Sequence, residues 1–161
     1  MPHSVDPPVT LSVLDRLLDL EPTVSTEAPS SRAQSLRLLR TAIRRDIEWL
    51  LNSRRVAFEP DGYFGELNQS LYVLGVADFA TFSLADRNEQ SRLLLHIQAV
   101  INQFEPRLAN VRITQQDDPV KTRSLRFRIE GALLIDPAPE LVSFDTLLQL
   151  SSGQYVVSEE F

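Results

Sequence analysis

Apolar residues recur at helical spacing in three stretches of the chain and at every second position in four others. From Ser31 to about Arg54, the residues Leu36, Leu39, Ile43, Ile47 and Leu50 fall on one stripe, with Trp49 beside it. That spacing predicts a long amphipathic helix, with Ser30 or Ser31 as its cap. A second helix is predicted from about Leu84 to Phe104, on the stripe Leu93, Leu94, Ile97, Val100, Ile101 and Phe104. Ser83 is the expected cap, with Asp86 three residues on, close to a capping box. The third stretch, Leu11 to Leu20, is short; Val13, Leu14, Leu17 and Leu18 share a face. A helix of that length is marginal in water and must dock on something.

Beyond Phe104 the period changes from helical to two. Asn110 to Gln116 alternates Val111 and Ile113 with Arg112 and Thr114. Ser124 to Ile135 alternates Leu125, Phe127 and Ile129 with Arg126, Arg128 and Glu130, and Gly131 is read as a bulge where the apolar parity changes. Phe144 to Leu150 and Gln154 to Ser158 complete four strands, separated by turns at Gln116–Pro119, Pro137–Pro139 and Ser151–Gly153. Such a run makes an antiparallel β meander with one face covered by the two main helices, an α+β fold. Between the helices, Leu67 to Val76 reads as a short strand or extended segment bent at Gly75. Residues 1–31 read as a flexible N-terminal segment carrying the short amphipathic helix, with a Pro-, Ser- and Thr-rich linker from Glu21 to Ser31. Residues 32–161 read as a single α+β domain.

Charge sharpens this picture. The net charge of −6 argues against general nucleic-acid binding. The first long helix is nonetheless basic. Arg32, Arg37, Arg40, Arg44, Arg45, Arg54 and Arg55 stand there against Asp46 and Glu48. Lys121 is the single lysine, so the basic groups favour planar, fork-shaped pairing with carboxylates. The chain has no cysteine, which excludes disulfides, thiolate metal sites and cysteine nucleophiles. No apolar run approaches the roughly 20 residues of a membrane span, and the N-terminus lacks the pattern of a secretory signal. A cytoplasmic protein without membrane insertion is expected.

Catalytic chemistry has little to stand on. The histidines are His3 and His96, and no nucleophile elbow, phosphate loop, dinucleotide fingerprint or zinc helix motif occurs. No catalytic residue, cofactor or metal ligand is assigned. The stretch that stands out is Phe104-Glu105-Pro106-Arg107-Leu108, where proline must end the helix. Glu105 and Arg107 flank a rigid corner, as an internal clasp or as a docking point for a partner.

Three stretches in order resemble a known family. They are Arg44-Arg45-Asp46-Ile47-Glu48-Trp49-Leu50-Leu51-Asn52-Ser53-Arg54-Arg55, then Ser70-Leu71-Tyr72-Val73-Leu74-Gly75-Val76-Ala77-Asp78-Phe79, then Phe104-Glu105-Pro106-Arg107-Leu108. With the meander that follows, they look like the TssE family, baseplate subunits of the bacterial type VI secretion system. That family is similar to the small wedge protein of contractile phage tails. The resemblance implies a non-enzymatic structural protein held by the wedge subunits TssF and TssG near TssK. It also implies that the first ring of the sheath subunits TssB and TssC adds to it by strand pairing. Partner binding is expected at Glu105, Pro106 and Arg107, and at the basic residues Arg44, Arg45, Arg54 and Arg55. Two other readings stand beside this one. One is a peptidoglycan hydrolase, which the family's "lysozyme-related" label suggests. The other is a generic adaptor that binds an acidic helix through its arginine stripe.

Overall fold

The computed structural model describes residues 8–18, 31–56, 61–78, 86–116, 124–149 and 151–159. Most of the linker from Glu21, the caps at Ser30 and Ser83 and most of the turn at Gln116–Pro119 lie outside these residues. The chain divides into two compact units, Met1–Ile43 and Arg44–Phe161.

In the first unit, the short helix α1 spans Val13–Leu17. Ser12 caps it: its Oγ accepts from the Asp15 amide at 3.2 Å and its hydroxyl donates to the Asp15 carboxylate. The chain ahead of α1 is pinned by the Val9 amide, which donates to Ser35 Oγ at 2.9 Å. None of α1's residues is buried, and Val13 and Leu17 are 72% and 76% exposed. The long helix α2, Arg32–Asn52, begins in this unit and ends in the second. Ser31 is its cap, accepting from the Gln34 amide at 3.2 Å. Leu39 and Ile43 are buried, as the period predicts, with Ala42 buried beside them, while Leu36 at the start of the stripe is half-buried.

In the second unit, α2 continues with Ile47, Leu50 and Leu51 buried, and α3 spans Arg87–Phe104. Of the predicted stripe, Leu93, Leu94, Ile97, Val100 and Ile101 are buried, while Phe104 at its end is half-buried. Asp86, rather than Ser83, caps α3, its carboxylate accepting from the Asn88 amide at 2.8 Å. Leu67–Val76 is not a strand. It forms two single-turn 3-10 helices, Leu67–Gln69 and Leu71–Val73, the second of them capped by the Ser70 hydroxyl oxygen, which accepts from the Tyr72 amide. Gly75 does bend the segment, with a φ of 100°. It delivers Val76 to a bridge with Arg54 just past the end of α2.

Four antiparallel strands follow in meander order: β1 Leu108–Gln116, β2 Ser124–Leu133, β3 Glu140–Gln149 and β4 Gln154–Glu159. α3 packs on β1. One face carries Leu108, Val111, Leu125, Phe127, Ile129, Leu133, Val142, Phe144, Leu148, Tyr155 and Val157, all buried. Phe127 and Tyr155 meet edge to face at 6.4 Å. The bulge expected at Gly131 lies on the facing strand. Burial alternates without a break through β2, while the β1–β2 register shifts between Ala109 and Arg112. Asn110 sits there at φ 54°, a left-handed conformation that asparagine tolerates. Gly131 faces the bulged residues, and a Cβ on it would stand 3.4 Å from the Ala109 carbonyl. The glycine therefore permits a close approach.

One core position is chemically mismatched. Thr146 is buried on β3 and its hydroxyl has no hydrogen-bond partner among the described residues. An unmet buried hydroxyl is costly, whereas valine fills nearly the same space without one. Thr146→Val is expected to raise the unfolding free energy by about 1 kcal/mol, measured by urea denaturation. A loss of stability would show that the hydroxyl is satisfied in solution.

Candidate functional site

The corner after α3 is built from backbone outward. The Glu105 amide closes the helix on the Ile101 carbonyl at 2.9 Å, and Pro106 stops it. The Leu108 amide then returns to the Glu105 carbonyl at 3.1 Å, completing a tight turn. The Leu134 amide donates to the Arg107 carbonyl at 2.8 Å, which ties the corner to the chain leaving β2.

Inside this turn the two flanking charges meet. Glu105 is 5% exposed. Its Oε1 accepts from Arg107 Nε at 2.6 Å and from the Arg107 amide at 3.2 Å, and its Oε2 accepts from Arg107 Nη2. This fork-shaped pair is the strongest arrangement open to a carboxylate and a guanidinium. Arg107 Nη2 also donates to Asp46 Oδ2 on α2 at 2.6 Å. Asp46 Oδ1 in turn accepts from Arg45 Nε at 3.0 Å and Nη2 at 2.8 Å. The Arg45 guanidinium lies 4.9 Å from the centre of the Trp49 ring, a cation–π contact. The result is a ladder of alternating charge: Trp49, Arg45, Asp46, Arg107, Glu105. The hydrogen bond to Glu105, followed by that to Asp46, raises the Arg107 pKa above its already high ordinary value, against the opposing effect of burial. Arg107 thus stays charged at any accessible pH.

The residues singled out from the sequence fall into three groups. Glu105 is turned into the clasp. Pro106 is exposed, and the Arg107 and Arg45 side chains keep part of their surface open. Arg44 and Arg54 are spent on β4: Arg44 Nη1 donates to the Val157 carbonyl at 3.0 Å and to Glu48 at 3.1 Å, and Arg54 Nη2 donates to the Gly153 carbonyl at 2.6 Å. Arg55 lies just past α2, its amide donating to the Val76 carbonyl at 3.1 Å. Burial pushes the phenol of nearby Tyr155 up to about 12, against the pull of Arg54.

Two members of the ladder were not read as site residues from the sequence. Asp46 carries the link between α2 and the corner, and its one signal was being an acid within an arginine-rich run. Trp49, placed beside the buried stripe, is 57% exposed. Tryptophan and arginine are among the residue types most enriched at the hot spots where proteins bind one another.

The ladder is fully paired and offers no group poised to move a proton. Among the described residues no cluster of histidine, aspartate and glutamate could hold a metal ion, and no helix is long and apolar enough to cross a membrane. His96 is half-buried, and its Nε2 accepts from the Ala77 amide at 3.4 Å.

None of the curated proteins or solved structures compared with the chain matches it. A protein-family model does match, over residues 37–138. Its description is baseplate wedge protein gp25, and the matched stretch holds the whole ladder together with α3, β1 and β2. The chain, a mixed fold of helices on a four-stranded antiparallel meander, belongs to the baseplate wedge protein gp25 family.

Proposed function

We propose that this chain is the TssE-type wedge subunit of a type VI secretion baseplate, with a structural and non-catalytic role on the cytoplasmic side. In this reading it is held by TssF and TssG near TssK, and it joins the wedge to the first TssB and TssC ring by strand pairing. The observation that carries the reading is the charge ladder, all of whose members lie within the stretch matched to a baseplate wedge family. Its geometry also refines the expected docking site. Glu105 acts as a positioning residue: it fixes Arg107 and the pitch of the Pro106 turn. The contact itself falls to the exposed Trp49, the outer part of Arg45, Pro106 and the open side of Arg107. Arg44, Arg54 and Arg55 then support the fold more than the contact.

Trp49→Ala tests this reading, because truncating a half-exposed aromatic leaves the core intact. The variant is expected to keep its melting temperature within about 2 °C and to lose about tenfold or more of the co-purifying wedge subunits. A folded variant that still recovers TssF and TssG at wild-type yield overturns the docking assignment. The hydrolase alternative is separated by incubating the purified chain with peptidoglycan. Release of soluble fragments would favour that alternative over a purely structural role.

A further inference from the structure

The polar side chains at the end of α2 are spent on β4. The Asn52 side-chain amide donates to the Tyr155 carbonyl at 2.9 Å, and its Oδ1 accepts from the Tyr155 amide at 3.0 Å. Arg44 and Arg54 take the Val157 and Gly153 carbonyls. The segment between α2 and α3 departs from this. From Val56 to Asp86 the sequence holds Glu59, Asp61, Glu66, Asp78 and Asp86 and no lysine or arginine. Asp86 is spent on capping α3. Asp61 and Glu66 are exposed, and neither carboxylate has a hydrogen bond or ion pair among the described residues.

These two acids bracket an aromatic pair. Tyr63 is 89% exposed and Phe64 54%, and their rings meet edge to face at 5.6 Å. Leu67, Leu71 and Tyr72 follow, all exposed. A run of large apolar side chains in open solvent marks a surface that is used. Gly62 and Gly65 flank the pair, and a Cβ on either would meet nothing within 4 Å, so the chain beside the rings is unobstructed. The backbone beneath them is firm. The Phe64 amide donates to the Asp61 carbonyl at 2.9 Å, the Asn68 amide to the Phe64 carbonyl at 3.0 Å and the Leu74 amide to the Leu71 carbonyl at 3.2 Å. Gln103, in the last turn of α3, donates through its side-chain amide to the Asn68 carbonyl at 2.7 Å. A loop held in this way presents its side chains at little cost in ordering. Coiled into turns, it offers no extended edge for a strand to pair with, so a partner must meet it by side chains.

We propose that the loop from Asp61 to Tyr72 is a docking surface for a basic amphipathic helix of another protein. The apolar face of that helix covers Tyr63, Phe64 and the two leucines, and its flanking arginines or lysines meet Asp61 and Glu66. A helix satisfies its own backbone and presents side chains alone, which suits a surface without a strand edge. Charge selects the occupant. Exposed aromatic side chains also suit a lipid surface, but Asp61 and Glu66 are repelled by an anionic one. A second copy of the chain supplies no ready basic helix from this unit, since Arg44, Arg45 and Arg54 are already bonded. The partner is defined by this chemistry and not by the baseplate role.

The test titrates the full chain with a capped helical peptide of leucine and arginine whose leucines share one face, followed by amide chemical shifts. Shifts are expected between Gly62 and Tyr72 and not along β4. A peptide with glutamate for arginine, and one with serine for leucine, are each expected to bind about tenfold more weakly. Tyr63→Ala removes an almost fully exposed ring. It is expected to keep the melting temperature within about 2 °C and to weaken binding about tenfold. Asp61→Asn combined with Glu66→Gln is expected to weaken binding about fivefold and to flatten its dependence on salt. Shifts centred elsewhere, equal binding by either control peptide, or equal binding by the Tyr63→Ala variant overturns the proposal. So does self-association of the unaltered chain that Tyr63→Ala abolishes, or binding through Tyr63 to vesicles of phosphatidylcholine and phosphatidylglycerol, since a second copy or a lipid surface would then be the occupant.

Discussion

Arg107→Ala is expected to lower the unfolding free energy by about 3 kcal/mol and the melting temperature by about 10 °C. The reason is an asymmetry in the clasp. Among the described residues Arg107 is the sole side chain bonded to the Glu105 carboxylate, which is buried. Removing the guanidinium leaves that carboxylate in a poorly solvated turn with one backbone donor, the amide of residue 107. A stranded buried charge costs more than a well-formed pair contributes. The same substitution frees one oxygen of Asp46, but Arg45 still holds the other, so that end of the ladder loses less. Two further variants separate these effects. Arg107→Lys keeps the charge but not the fork, and it is expected to fall between the wild type and Arg107→Ala. Glu105→Gln placed on Arg107→Ala removes the stranded charge and is expected to recover about half of the loss. Urea unfolding of the wild type, Arg107→Ala, Glu105→Gln and the double variant gives the coupling as a double-mutant cycle. A loss below about 1 kcal/mol for Arg107→Ala would mean that solvent screens the pair, and the clasp would then not set the corner. Trp49→Ala carries the opposite signature, with binding lost and stability kept. The pair of variants therefore separates Arg107, which holds the corner besides facing the partner, from Trp49, which only meets the partner.

The elements were legible because each follows from a local period. The stripe over Leu39, Ile43, Ile47 and Leu50 and the alternation over Leu125, Phe127 and Ile129 both predict the faces that are buried. Pro106 marks the helix end through sterics that act within one turn. What escaped the sequence depends on partners distant along the chain. The parity change read near Gly131 did not mark a bulge in β2, whose burial alternates unbroken, and alternation records the face of a strand and not the regularity of its neighbour. The irregularity belonged to Asn110, on β1. Leu67–Val76 was apolar enough for a strand, but it folds into two 3-10 turns, of which the Ser70 hydroxyl caps the second. The arginines of α2 were indistinguishable by type. Arg44 meets β4, Arg45 meets Asp46 and Trp49, and Arg54 meets the turn before β4. Each fate is fixed by which strand or corner lies opposite, and no periodicity encodes that. The link from Asp46 to Arg107 spans 61 positions. The candidate site was thus half legible: the corner could be read, while the helix residues that complete it could not.

Gly75→Ala is expected to cost about 3 kcal/mol or more, through backbone geometry alone. Gly75 has a φ of 100°, a conformation that residues with a Cβ rarely adopt. A Cβ placed there would stand 2.4 Å from the Ser53 carbonyl oxygen and 2.7 Å from its carbon. Neither atom can move freely. The Ser53 carbonyl accepts from the Val76 amide at 2.9 Å, and the Val76 carbonyl accepts from the Arg55 amide at 3.1 Å. Relieving the contact therefore means separating the bridge that fastens the chain after α2 to the segment leading to Val76. Arg54 lies between the two bonded positions, and its guanidinium reaches the Gly153 carbonyl at the start of β4. Displacing the bridge should loosen that end of the β4 edge as well. Amide exchange in the variant is expected to rise at Val76 and Arg55 first, and at Tyr155 next. Gly65→Ala is the control, since nothing lies within 4 Å of a Cβ at that position and its φ is not in the left-handed region. It is expected to change stability by less than about 0.5 kcal/mol. Equal midpoints for the two variants in urea would show that the segment around Gly75 yields without breaking its bridge. The apparent rigidity of the α2 end would then have to come from Asn52 and Arg44 on β4 instead.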